Sequence, residues 1–156
     1  MSSTHVLAPI EGTAVALADV PDPVFAGGMV GYGAAIDPPH RVVDAVAPVG
    51  GTILKLLPHA YVIMTPDNVG ILVHLGLDTV QLQGSGFTAH VAQGDTVTAG
   101  QRVITYDVPA IVAAGFSPVV PVVVMDEREP GNVAVADEVT GAGPIGCGAT
   151  LFTATK

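Results

Sequence analysis

Turn-forming residues cut this chain so often that a long helix has no room in it. Glycine and proline supply 19 and 13 of its 156 residues. They separate short runs rich in Val, Ile, Leu and Thr, the composition and spacing of β-strands. The pattern predicts strands near 5–10, 13–18, 43–47, 52–56, 59–64, 70–74, 87–91, 101–106, 119–125, 132–135 and 150–154. Two helical turns are predicted as well: Asp22-Pro23 opens one that Gly27 closes, and Asp107 with Pro109 opens another that Gly115 closes. Strands this short and this numerous imply an all-β fold, an antiparallel sandwich or a barrel-like domain. No Ser/Pro/Gly linker divides them, so residues 1–156 are expected to form a single domain.

An internal repeat sharpens the expectation. Ala8-Pro-Ile-Glu-Gly-Thr-Ala-Val-Ala-Leu17 returns 39 positions later as Ala47-Pro-Val-Gly-Gly-Thr-Ile-Leu-Lys-Leu56, with five of ten positions identical. A weaker echo links Asp95-Thr-Val-Thr98 with Asp137-Glu-Val-Thr140. Two copies are too few for a solenoid and point to a sheet protein with related halves.

Charge excludes one class of partner and favours another. Five Lys and Arg stand against fourteen Asp and Glu, a formal net charge of -9, so the cationic surface that nucleic-acid binding needs is missing and a basic partner is expected. The mean hydropathy is +0.58, yet prolines, glycines and charges interrupt every apolar run before the roughly 20 residues of a membrane helix. The first residues carry no basic stretch leading into an apolar one, and a cytoplasmic protein is expected. The lone Cys147 is expected to be buried as a small hydrophobe.

Of the histidines at 5, 40, 59, 74 and 90, two stand apart. Two strand-like runs flank Thr65-Pro-Asp-Asn-Val69, and Pro66-Asp67 suits the centre of a turn. His59 lies seven positions before Pro66 and His74 seven after Asp67, so a hairpin centred there sets the two imidazoles face to face. Either both rings merely cover a sheet face, or together they hold one ligand. Gly76 and Asp78 follow, offering a close backbone approach and a carboxylate at the histidine edge. Neutral imidazole attacks phosphorus well and a second imidazole can donate a hydrogen bond to the incoming oxygens. No Gly-x-x-x-x-Gly-Lys loop is present to hold a nucleotide.

Nine ordered blocks now carry a resemblance. They are Leu7-Ala-Pro-Ile-Glu-Gly, Asp19-Val-Pro-Asp-Pro-Val-Phe-Ala26, Met29-Val-Gly31, Val46-Ala-Pro-Val-Gly-Gly-Thr52, His59-Ala60, Val73-His-Leu-Gly-Leu-Asp-Thr-Val80, Gly84-Ser-Gly-Phe87, Gly94-Asp-Thr-Val97 and Gly100-Gln101. Together they resemble the glucose-type IIA component of the bacterial phosphoenolpyruvate-dependent sugar phosphotransferase system.

The resemblance implies an antiparallel β-sandwich of the duplicated hybrid type with short helical turns. It implies that His74 accepts a phosphoryl group at Nε2 from the histidine-containing phosphocarrier protein and passes it to the IIB domain of a membrane sugar permease. His59 is the helper, and the Gly76 carbonyl holds the other ring nitrogen of His74. Asp78 faces the carrier's arginine, and Ile36 and Val80 make apolar contacts with it. No cofactor is required, although the family binds zinc between the positions of His59 and His74 when a partner supplies a carboxylate. Regulatory targets on the same surface are compatible with this role. Tyr32 stands where the family often has an acidic residue, and Leu57 where a threonine often supports the helper ring.

Two other readings compete. His74-x-x-x-Asp78 resembles half of the zinc site of lysostaphin-type metallopeptidases, but their His-x-His element is absent. Gly94-Asp-Thr-Val97 with Gly100 resembles turns of biotinyl and lipoyl domains, which need a lysine at a hairpin tip. Lys55 and Lys156 are the only lysines, and neither occupies such a place in the pattern.

Overall fold

The computed structural model describes residues 3–155. In chain order the elements are β1 (Ser3–Leu7), β2 (Gly12–Ala16), α1 (Pro23–Ala26), β3 (Gly31–Asp37), β4 (Val42–Val46), β5 (Gly51–Leu57), β6 (Ala60–Met64), β7 (Gly70–His74), β8 (Phe87–Ala89), β9 (Thr96–Val97), β10 (Arg102–Asp107), α2 (Val108–Ala113), β11 (Val120–Met125), β12 (Val133–Val135), α3 (Asp137–Thr140), β13 (Pro144–Ile145) and β14 (Thr150–Thr155). Eight strands form one antiparallel sheet in the order β13-β2-β3-β11-β7-β6-β5-β9, and two three-stranded sheets, β1-β14-β12 and β4-β10-β8, complete the sandwich. Ile36, Tyr61, Ile63, Ile71, Val73 and Val122 from the large sheet meet Val6, Ala45, Ile104, Tyr106 and Phe152 from the small ones in one buried core.

The strand order is a palindrome about the β7–β11 pair, where Val73 lies opposite Val122. The halves exchange under a pseudo-twofold axis through that pair. Leu7 N–H donates to Pro48 O and Val46 N–H to Pro9 O, both at 2.9 Å, so the repeat found in the sequence closes on itself reciprocally. Gly12 and Gly51 occupy matching places because a Cβ on either would drive into the carbonyl oxygen of the neighbouring strand, Asp37 or Met64. The weaker echo does not correspond: residues 96–97 are strand, whereas Asp137–Thr140 is helical. The true counterpart of 95–101 is 143–149, since Gly100 N–H bonds Ala47 O as Gly148 N–H bonds Ala8 O.

Most predicted strands are present within a few residues. The sequence pattern missed β3, β9, β13 and α3. β3 reads Gly-Tyr-Gly-Ala-Ala-Ile-Asp, poor in β-branched residues, and is held by neighbours on both sides. Both predicted helical turns form, with the Asp22 and Asp107 carboxylates capping them through Val24 N–H and Ala110 N–H. Cys147 is exposed, not buried, with its thiol 3.7 Å from the Pro9 carbonyl. It sits in the turn leading into β14, and turns run over the surface.

Candidate functional site

β6 and β7 form the expected hairpin with a register one residue away from the predicted one. Met64 pairs with Gly70 and Ala60, not His59, lies opposite His74. The connection is a five-residue loop closed by Thr65 N–H to Val69 O and by Val69 N–H to the Thr65 hydroxyl, so its centre falls on Asp67. The two imidazoles meet all the same. Leu57 pairs with Ala60, leaving Pro58 and His59 as a two-residue turn, and a turn residue is released from strand alternation. Its ring stands 5.0 Å from that of His74, centroid to centroid, at 73°.

His74 is half-buried at the end of β7, on the outer face of the large sheet. Its Nδ1 lies 2.6 Å from the Gly76 carbonyl oxygen. A carbonyl only accepts, so Nδ1 carries the proton and the Nε2 lone pair is left facing outward. Gly76 itself is clamped: Leu77 N–H donates to Ser117 O, the Thr79 hydroxyl to Leu75 O and the Tyr106 hydroxyl to Pro118 O. Phe25 closes the other side of His74, ring centroids 5.2 Å apart.

Burial lowers the pKa of His74 below 6.5, opposed by the Gly76 hydrogen bond and by the charges of Asp22 and Asp78. Burial also lowers that of His59, helped by the proximity of His74. Both rings are therefore held toward the neutral form that a nucleophile needs. No hydrogen bond to the His59 ring occurs among the described residues, in keeping with Leu57 at the position where a threonine was the alternative. The pair opens into a cavity of about 230 Å³ lined by Lys55, Leu57, Ala60, Val62, Leu72 and Met125 besides the histidines.

The other candidates divide. Asp78 is exposed, with φ of 60°, and Val80 is 61% exposed. Ile36 is not: it points inward from β3, fully buried in the core. The alternation of β3 assigns its outer face to Ala35 and its inner face to Ile36. The exposed apolar residues in the segments around the histidines are instead Val24 and Met29 between β2 and β3, Leu57 and Val80, all at least 38% exposed. Asp22 was missed; its signal was the cap motif Asp22-Pro23, which also sets its charge beside His74. Tyr32 packs among the apolar residues under α1.

Fold and site together define a duplicated β-sandwich with a paired-imidazole depression on the open half of its large sheet. Comparison with known proteins gives the family. Residues 4–129 match the phosphoenolpyruvate-dependent sugar phosphotransferase system, EIIA 1, and the chain belongs to that family and serves as a phosphoryl carrier of the system. It is 46% identical over 121 residues to the glucose-specific EIIA component of Halalkalibacterium halodurans, covering 76% of this chain and 69% of that one. It is 48% identical over 107 residues to the glucose-specific EIICBA component of Streptococcus pneumoniae, 67% of this chain and 14% of that longer protein. The glucose permease IIA of Mycoplasma capricolum superposes with a TM-score of 0.86 at 33% identity, covering 98% and 96% of the two chains. The metallopeptidase reading has no support among these relatives. Nor is any group of three His, Cys, Asp or Glu arranged to hold a metal among the described residues. Lys55 lies within strand β5, not at a hairpin tip, and Lys156 falls outside the described residues.

Proposed function

We propose that His74 is the phosphoryl acceptor and that it works through Nε2. The observation that carries this reading is the Gly76 carbonyl on Nδ1, which leaves Nε2 as the nucleophilic nitrogen beside a second imidazole in an open cavity. The donor is the phosphohistidine of the histidine-containing phosphocarrier protein. As the new Nε2–phosphorus bond forms, the bond to the carrier's ring nitrogen breaks and its electron pair returns to that ring. His74 keeps its proton on Nδ1 throughout, donated to Gly76 O, so its ring carries one positive charge while the phosphoryl group is on Nε2. His59 donates a hydrogen bond to an equatorial phosphoryl oxygen as charge spreads over all three. Asp22 and Asp78 flank the site and engage the basic rim of the carrier, with Val80, Val24 and Met29 forming a dry margin. The phosphoryl group then passes to the IIB domain of a sugar permease on the cytoplasmic side of the membrane. The name of the Streptococcus relative supports this coupling by joining the A part to B and C parts in one chain. No helix among the described residues is long and apolar enough to cross a membrane. Zinc would receive two imidazoles from His59 and His74 and would need its remaining ligands from outside the described residues.

The test is intact mass after mixing with phosphoenolpyruvate, enzyme I and the phosphocarrier. Wild type should gain one acid-labile, base-stable phosphate and His74→Ala none. His59→Ala should be phosphorylated about 10²–10³ more slowly, the usual cost of one oriented donor, and His59→Gln should be faster than the alanine variant. Phosphorylation of His74→Ala overturns the acceptor; wild-type rates in His59→Ala overturn the helper.

A further inference from the structure

Lys55 owes its position to a break in the symmetry of the fold. Under the pseudo-twofold axis β5 corresponds to β2. β2 pairs with β3 in unbroken register from Thr13 opposite Asp37 to Ala16 opposite Ala34. β5 does not: Ile53 lies opposite Ile63 but Lys55 lies opposite Val62, with Leu54 as the extra residue of a β-bulge. Without the bulge, alternation from the buried Ile53 would send position 55 inward. The bulge turns Lys55 to the outer face, and the next residues keep alternating from there, Leu56 against the core and Leu57 outward. Lys55 thereby lines the same cavity as His59 and His74.

Its charge is unspent. Among the described residues Arg41 pairs with Glu11, Arg102 with Asp44 at 3.8 Å, and Arg128 donates to Met29 O at 3.1 Å. Lys55 has no such partner among the described residues, in a chain with fourteen carboxylates to five Lys and Arg. A phosphoryl group on His74 places up to two negative charges on its oxygens beside Asp22 and Asp78; the phosphorylated ring, with Nδ1 still protonated, offsets one of them, and His59 is held toward its neutral form.

Resting on the acceptor reading above, we propose that Lys55 is the cation that binds the phosphoryl oxygens on His74. It offsets the acidic rim and sets how far the transfer equilibrium lies toward the phosphorylated chain. Lys55 takes no part in bond making; it supplies charge-assisted hydrogen bonds to the transferred group. The acidic rim attracts a basic partner whether or not that partner is charged with phosphate. The single lysine in the cavity rewards only the phosphorylated one.

The experiment phosphorylates the full chain with phosphoenolpyruvate, enzyme I and the phosphocarrier, then follows ³¹P resonances during a pH titration and at equilibrium with the carrier. Lys55→Met should still take phosphate on His74, with the last phosphoryl proton leaving at higher pH than in wild type. Its phosphorylated fraction relative to the carrier should fall about three- to tenfold, the scale of one partly solvated charged hydrogen bond. Lys55→Arg should restore both. A titration midpoint and an equilibrium unchanged in Lys55→Met overturn the role of Lys55 alone. Wild type without phosphate on His74 overturns the acceptor reading and this proposal with it.

Discussion

At the scale of single residues the site depends on one backbone carbonyl. Gly76 adopts φ of +83°, and a Cβ there would stand 2.6 Å from Thr79 Cγ2 and 3.1 Å from both Ser117 O and the Tyr106 hydroxyl. Thr79 is wholly buried and bonded to Leu75 O, so it has little freedom to retreat. Gly76→Ala combines a left-handed backbone cost with a steric one, together about 2–3 kcal/mol. Relief of the clash must displace the carbonyl that holds Nδ1. The expected result is a lowered Tm together with loss of the single His74 tautomer, read from ¹⁵N chemical shifts of the ring. A destabilised variant that keeps the wild-type tautomer would mean that something other than Gly76 fixes the ring. The sequence pointed to Gly76 through its neighbourhood to His74, but the cradle of Thr79, Ser117 and Tyr106 joins segments 27 to 41 residues apart and leaves no local trace.

Among the elements, α1 and the turn before β6 decide where the site opens. Under the pseudo-twofold axis Ala60 opposite His74 corresponds to Gly33 opposite Val123, so His74 matches Val123 and His59 matches Tyr32. The β2–β3 connection spans residues 17–30 and lays Leu17, Val20 and Phe25 over Val123 and Ala35. The β5–β6 connection is only Pro58 and His59, and its face of the sheet stays open. α1 also brings Asp22 to His74, where its charge opposes the lowering of the ring's pKa. Asp22→Asn keeps an oxygen for the Val24 cap and removes the charge. With His74 below 6.5 in wild type, phosphoryl acceptance should persist into mildly acid solution and fail when the ring protonates. In Asp22→Asn the acid limb should move to still lower pH. Folding stability has the matching sign: the unfolded state binds protons from pH 6.5 downward before the folded histidines do, so stability is full above that value and falls below it. An acid limb left unmoved in Asp22→Asn would show that this carboxylate does not reach the ring. The predicted hairpin placed the histidines together through a register that the five-residue loop does not adopt. What was legible was that two imidazoles share a hairpin; the turn at Pro58-His59 and the bulge at Leu54 that aim His59 and Lys55 were not, because turn type and bulge position depend on pairing partners.

For the whole molecule, duplication gives the scaffold and its decay gives the function. The repeat was readable at 8–17 and 47–56 because Gly12 and Gly51 each pass too close to a neighbouring carbonyl to tolerate a side chain. Segments 95–101 and 143–149 keep the same hydrogen bonds with one identical residue, Gly100 and Gly148, since backbone pairing makes no demand on side chains. The surface has likewise drifted to one sign, -9 overall, with Asp22 and Asp78 at the site. A field of that kind acts at a distance, on encounter, whereas a contact that excludes water gives salt little access. Raising salt from low to well above physiological should therefore slow association with a basic phosphocarrier by about tenfold or more. Transfer at saturating carrier should change much less. Asp78→Lys should lower the association rate at low salt and flatten its salt dependence, whereas the same change at Asp137, in α3, should do far less. Rapid-mixing phosphorylation at several carrier concentrations separates the two steps. If salt or Asp78→Lys altered the saturated rate and left association alone, the rim carboxylates would be acting on the chemistry of His74 and not on the approach of its partner.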